Sequence, residues 1–269
     1  MINIDLQKIK TLDENDSYGK YSISPLNKGY GYTVGNTLRR ILLSSLKGAA
    51  VTSVKIDSIN HEYSTIDGVH EDVMNIILNV KNLQLISRSE EPQTVTINAK
   101  GERIVRASDI NITDSIEIRN PEQIIATLSD SKAQLSMELV IENSYGYRLL
   151  DNSKRNYAGV IPIDADFSPV SRVNFTVTNT RVGDETDLDE IILEIYTKSI
   201  SPSVALKAAL IEAYLVFNQL NSEFEPVSAE KEIMKNKVKS EKSTKKVISK
   251  KTILKKDKDE TPKKSKKTK

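Results

Sequence analysis

The chain has 269 residues, 38% of them hydrophobic and 28% charged, with a formal net charge of +2 and neither Cys nor Trp. That length suffices for one large domain or two modest ones with a buried core, and zero Cys excludes a disulfide framework, Cys-ligated zinc, iron–sulfur clusters and a thiol nucleophile. Only two histidines occur, His61 and His70, at a spacing that gives no His-x-x-x-His ligand pair.

Residues 1–10 alternate polar and apolar side chains and lack the apolar core of a signal peptide. No run of eighteen apolar residues exists. A soluble, intracellular chain without a membrane span is expected. Residues 21–25 read as a short strand that ends in the turn-rich Pro25-Leu26-Asn27-Lys28-Gly29. The glycines that follow, Gly29, Gly31 and Gly35, are spaced G-x-G-x-x-x-G, one residue off the dinucleotide fingerprint, and no G-K-[ST] follows. They read as a loop turning sharply into a helix.

From Thr33 the hydrophobic period becomes helical. Val34, Leu38, Ile41, Leu42 and Leu46 form one face, Arg40, Leu43 and Lys47 line a second, and Gly48 is placed to cap the C-terminus. Residues 50–59 read as a strand. A second helix buries Val69, Val73, Ile76, Ile77 and Val80, with Asp67, Glu71 and Asp72 near its N-terminus, where the dipole favours them. Short alternating runs then follow at 94–98, 104–107, 116–119, 124–128 and 135–141, a mostly antiparallel β region. A loop is expected at 152–156, and further strands at 160–163, 172–179 and 190–198.

The last element expected to be ordered is a helix over 202–220, with Pro202 in its first turn. Between Val204 and Leu220 the only charges are Lys207 and Glu212, so the helix is apolar nearly all round. It is read as too short and too interrupted for a membrane span. A deep core position and a subunit interface both fit the pattern.

The near-neutral total conceals a split: residues 1–226 carry a net −9 and residues 227–269 a net +11, and every Tyr and Phe precedes residue 227. A tail so poor in apolar side chains cannot offset its ordering entropy and is expected to be disordered. The acidic remainder is a poor candidate for gripping DNA phosphates across its own surface.

Nothing in the chain reads as catalytic or metal-binding: there is no nucleophile elbow, His-Glu-x-x-His, P-loop or calcium loop. No cofactor is expected. The carboxylates Asp184, Glu185, Asp187, Asp189 and Glu190 read as a solvated turn, because no other ligand type converges on them.

Two segments are more specific. Gly35-Asn36-Thr37-Leu38-Arg39-Arg40-Ile41-Leu42-Leu43-Ser44-Ser45 is one. His61-Glu62-Tyr63-Ser64-Thr65 with Asp67-Gly68-Val69 and Glu71-Asp72 is the other. In combination they closely resemble the α subunit of bacterial and plastid-type DNA-dependent RNA polymerase. The resemblance continues through Ser168-Pro169-Val170 with Arg172-Val173, through Arg181-Val182 and Thr186-Asp187-Leu188-Asp189, and into the last helix, covering roughly residues 5–225.

The resemblance implies an α+β fold: a discontinuous dimerisation subdomain of helices and antiparallel strands (1–50 and 170–225), and an inserted, mostly antiparallel β-rich subdomain (51–169). The Lys-rich tail (226–269) then stands where typical members continue into a small DNA-binding domain. It further implies a non-catalytic subunit of a nucleotidyltransferase. As a homodimer it would scaffold the β and β′ subunits, with ω and σ in the holoenzyme, and meet DNA through that complex and through the charge of the tail. The compartment would be the bacterial cytoplasm or the plastid stroma.

By the same resemblance Arg40 supports docking of the β subunit, with Leu43 one turn on and Arg39 about 100° away around the helix; His61, Glu62 and Tyr63 add a contact to a large subunit. Taken alone, the double Arg reads as a solvated charged face and His61–Tyr63 as a strand-to-loop junction. The dimer interface is expected from Val34, Leu38, Ile41, Leu42, Leu206, Leu210, Ala213 and Phe217. Two rivals remain: a stand-alone nucleic-acid-binding protein acting through its basic tail, and an enzyme of acidic type, which would need a pocket of convergent ionisable groups.

Overall fold

The structure, a computed structural model, describes residues 8–150, 159–183 and 185–223. Strands β1 (Lys8–Glu14) and β2 (Tyr18–Leu26) precede helix α1 (Tyr30–Ser44), and β3 (Lys47–Ile56) leads into α2 (Val73–Lys81). Ten short to medium strands follow: β4 (Leu85–Ser87), β5 (Gln93–Lys100), β6 (Arg103–Arg106), β7 (Ile110–Asn111), β8 (Ile116–Ile118), β9 (Ile124–Leu128), β10 (Gln134–Tyr145), β11 (Tyr147–Arg148), β12 (Val160–Pro162) and β13 (Ala165–Asp166). The long hairpin β14 (Val170–Val182) and β15 (Glu185–Thr197) then leads to α3 (Pro202–Glu223). The fold is α+β, and every strand pairing among the described residues is antiparallel.

The strands sort by where their partners lie in the chain. β1 and β2 join β14 and β15 in one four-stranded sheet of order β1-β2-β15-β14, so the two ends of the described chain build it together. A seven-stranded sheet of order β7-β5-β10-β3-β4-β8, with β12 on β3, comes from the stretch between them. Each sheet has its own core. Tyr21, Leu38, Leu42, Ile191, Leu193 and Leu206 belong to the first, whereas the second runs from Val51 to Ile163 around Ile76, Ile97, Leu135 and Leu139. Among the described residues, packing groups those up to Leu215 as one unit and Val216–Glu223 with another.

Helix α1 begins at Tyr30, three residues before the apolar period starts. Its N-cap is Gly29 at φ 85°, which offers no side-chain cap. Its end also differs from expectation. Ser45 closes the helix, its N–H donating to the Ile41 carbonyl at 2.9 Å, and Gly48 lies inside β3 instead of capping. A Cβ on Gly48 would stand 1.9 Å from the Phe167 carbonyl oxygen, so this glycine is demanded by a close approach of two backbones.

Helix α2 is shorter than its hydrophobic period. Asp72 caps it, accepting from the Asn75 N–H at 2.7 Å. Glu71 instead turns to β9, where it accepts from the Thr127 N–H at 2.6 Å and its hydroxyl at 2.9 Å. That bond holds the preceding residues along β9, and Val69 forms a bridge with Leu128 in place of a helical turn. The loop expected at 152–156 and the tail at 226–269 lie outside the described residues.

Candidate protein-interaction surface

Helix α1 lies against β14 and β15 at unusually short range. A Cβ on Gly35 would come within 2.6 Å of the Phe175 ring, so the sequence places its smallest residue where the helix meets the sheet. Leu38 and Leu42, at 2% and 0% exposure, are sealed beneath it, each contributing about 2–3 kcal/mol of burial.

The start of α1 is held from far away in sequence. One carboxylate oxygen of Asp189, a residue 6% exposed on β15, accepts from the Gly29 N–H at 2.8 Å and the Gly31 N–H at 2.9 Å. Neighbouring Asp187 pairs with Lys28 at 3.0 Å on the surface, and Glu190 accepts from the Ser22 hydroxyl. The acidic run is therefore strand, not a solvated turn: Glu185 through Glu190 lie in β15, while Asp184 falls outside the described residues. The expectation failed because the partners of Asp189 lie 158 and 160 positions earlier in the chain.

The outer face of α1 carries Arg39 and Arg40, both exposed, and Leu43, half-buried against the core. Among the described residues neither guanidinium has a carboxylate partner. At the helix end the Ser168 hydroxyl donates to the Leu43 carbonyl at 3.1 Å. His61, Glu62 and Tyr63 stand on the separate loop between β3 and α2. Tyr63 is 79% exposed, and the Ser64 hydroxyl lies 3.1 Å from His61 Nδ1. Helix α1 belongs with the four-stranded sheet and this loop with the seven-stranded one.

The residues expected at a dimer interface divide in two. Leu38, Leu42 and Leu206 are buried in the chain's own core, out of reach of another molecule, because each faces the four-stranded sheet. Val34, Ile41 and Ala213 are half-buried, while Leu210 and Phe217 are exposed. On α3 the buried stripe is Pro202, Ala205, Leu206 and Ala209, a spacing of three and four. Beyond it the helix stays apolar without cover: Ile211, Tyr214 and Leu215 are 51%, 67% and 53% exposed, and Val204 is exposed as well. In the second unit Val216, Phe217 and Leu220 of the same helix are exposed too.

Periodicity signalled an all-round apolar helix without telling the covered face from the open one. The helix is also longer than its sequence reading, 22 residues, and by length and composition it reaches the range of a membrane span. Its N-terminus is held by Glu14 of β1, which accepts from the Ser203 N–H at 3.2 Å. Burial, with the Glu14 charge beside it, pushes the Tyr21 hydroxyl well above the usual tyrosine range.

The remaining polar clusters are structural in character. Burial acts to raise the Asp164 carboxyl, but hydrogen bonds from Lys81, at 2.7 Å to each oxygen, and from Tyr147 outweigh it and leave the group below the usual carboxylate range. A shallow cleft beside this pair, lined by Asn82, Phe167 and Lys198, is already bridged by the Lys198–Asp166 ion pair at 2.6 Å. Among the described residues no group of three or more His, Asp or Glu stands together as a metal site.

Comparison with known proteins adds a consistent result. Residues 54–168 match the family described as "RNA polymerase Rpb3/RpoA insert domain". The chain is 48% identical over 223 residues to the DNA-directed RNA polymerase subunit alpha of Moorella thermoacetica, covering 81% of this chain and 71% of that protein. To the corresponding subunits of Oceanobacillus iheyensis and Roseiflexus castenholzii it is 49% identical over 222 residues and 42% over 233, covering 80% and 86% of this chain and 70% and 72% of theirs.

Proposed function

The chain belongs to the family of bacterial DNA-directed RNA polymerase α subunits, and from that premise we propose that it works as a homodimer on which the β and β′ subunits assemble. It is a component of a nucleotidyltransferase complex. The observation that carries the dimer is the uncovered apolar surface of α3, where Ile211, Tyr214 and Leu215 stay open in the isolated chain. A contiguous apolar patch of this kind marks a surface meant for a partner. A second copy fits better than lipid, because Lys207 and Glu212 interrupt the helix and its first turns are already packed on the sheet. The bacterial relatives support a cytoplasmic location.

The division of labour follows the two cores. We assign dimerisation to residues 1–50 and 170–225, and treat 51–169 as the insert. The match over 54–168 and the confinement of the second core to Val51–Ile163 support that division. Isolation of the untagged complex from native cells tests the whole reading: two copies of this chain with two large subunits are expected, and a chain recovered alone on nucleic acid would favour the rival binding role.

Arg40 is the residue of choice for β docking. It is exposed, unpaired among the described residues, and carried on a helix fastened to the sheet. Arg40→Ala is expected to leave folding and dimerisation intact, since an exposed helix side chain contributes within about 0.5 kcal/mol. Docking should weaken by about 2 kcal/mol, the scale of an interface hot spot. Unchanged assembly in a reconstitution with the large subunits would count against it.

The 43 residues from 227 to 269 lie outside the described residues, and their part in the proposal rests on charge. A net +11 without any aromatic residue suits sequence-independent attraction to DNA through counterion release, with no platform for stacking bases. Deleting them should flatten the dependence of log affinity on log salt when the assembled polymerase binds promoter DNA, with assembly unaffected. Equal slopes would leave the tail a solubilising role alone.

A further inference from the structure

Helix α1 lacks the devices that normally hold a helix start. Its N-cap is a glycine, and no acidic side chain lies in its first turn. Two of its orphan N–H groups and the positive end of its dipole are met instead by a single carboxylate on another element, Asp189. At the other end the Ser168 hydroxyl satisfies the Leu43 carbonyl, again from outside the helix. Both residues belong to the short segments 168–170 and 186–189 that the docking function leaves without a role.

We propose that Asp189 and Ser168 are positioning residues that set the pose of α1, and so the direction in which Arg40 and Leu43 are presented to the large subunit. A local cap would stabilise the helix equally well and leave its seat on the sheet unspecified. A cap supplied by β15 ties helix formation to one placement. The acceptor is nearly sealed from water, so its two bonds are not exchanged for solvent at small cost. The close approach at Gly35 defines the depth of the helix on the sheet, and the end contacts define its rotation and its position along its own axis.

The inference rests on the proposed docking of β through α1, and the experiment separates the two. Full-length chain carrying Asp189→Ala, Asp189→Asn, Ser168→Ala or Arg40→Ala is titrated with purified β subunit at a temperature where each variant is fully folded by circular dichroism. Ile97→Ala in the other core serves as a variant that lowers stability without touching α1.

Asp189→Ala is expected to lose tenfold or more in β affinity, and Asp189→Asn, which keeps an acceptor, distinctly less. Ser168→Ala should lose a few-fold and Ile97→Ala nothing. Amide exchange at Gly29 and Gly31 should accelerate in Asp189→Ala alone. If Asp189→Ala is not folded, Asp189→Asn and Ser168→Ala carry the comparison. Wild-type affinity in every Asp189 and Ser168 variant, with Arg40→Ala impaired, overturns the inference and spares the docking reading. Wild-type affinity in Arg40→Ala as well overturns both. A loss in Ile97→Ala equal to that in Asp189→Ala reduces the effect to stability and also overturns it.

Discussion

Leu215→Glu is expected to leave a folded monomer in place of the proposed dimer. In the isolated chain Leu215 is 53% exposed, so a glutamate there keeps its water and folding should change by about 0.5 kcal/mol or less. Against a second copy the same carboxylate would be buried in an apolar contact without a partner. An uncompensated buried charge costs about 3–5 kcal/mol, which at about 1.4 kcal/mol per tenfold would weaken the proposed dimer by about two to three and a half orders of magnitude. Sedimentation across a concentration series reads the result directly. A Leu215→Glu chain that stays dimeric at micromolar concentration would remove α3 from the interface. Leu206→Ala gives the opposite signature. At 4% exposure its side chain belongs to the protomer's core, and truncation should cost about 2–5 kcal/mol of folding.

Gly48→Ala is expected to be strongly destabilising, by about 3 kcal/mol, although it adds a single methyl. A C-cap glycine replaced by alanine would lose about 1 kcal/mol through its left-handed backbone. Gly48 is not in that conformation: the positive-φ glycines are 29, 68, 101, 146, 159 and 183. The cost is steric, because the new Cβ would sit 1.9 Å from the Phe167 carbonyl oxygen, a backbone atom that has no rotamer in which to escape. Relief requires β3 and the segment before β14 to separate, which pulls Ser168 from the end of α1. A fall in melting temperature of roughly 10 °C is expected for a unit of this size. A fall of only two or three degrees would mean that the two backbones part easily.

Much of this architecture was legible before the structure. The three-and-four spacing of Val73, Ile76, Ile77 and Val80 is the buried face of α2, and the alternating runs from 94 to 141 are strands β5, β6, β8, β9 and β10. Such patterns are local, since a helix or strand must turn its apolar side chains to one side whatever lies there. The His61–Asp72 and Gly35–Ser45 segments also carried the family relationship that comparison established.

What escaped the sequence was every feature whose partner lies far along the chain. Asp187, Asp189 and Glu190 looked like a solvated turn, because the amides and side chains they meet are more than 150 positions away. Glu71 looked like a helix-start carboxylate until Thr127 claimed it. Gly48 looked like a cap because nothing local announces the Phe167 carbonyl. On α3, composition alone gave a helix apolar nearly all round and the expectation of cover on several sides. Only the packed chain decided which side it covers itself: Ala205, Leu206 and Ala209 join the core of the four-stranded sheet, while Ile211, Tyr214 and Leu215 stay exposed. Periodicity records how many apolar faces a segment has, whereas the surface that fills each face is set by strands drawn from the far end of the chain.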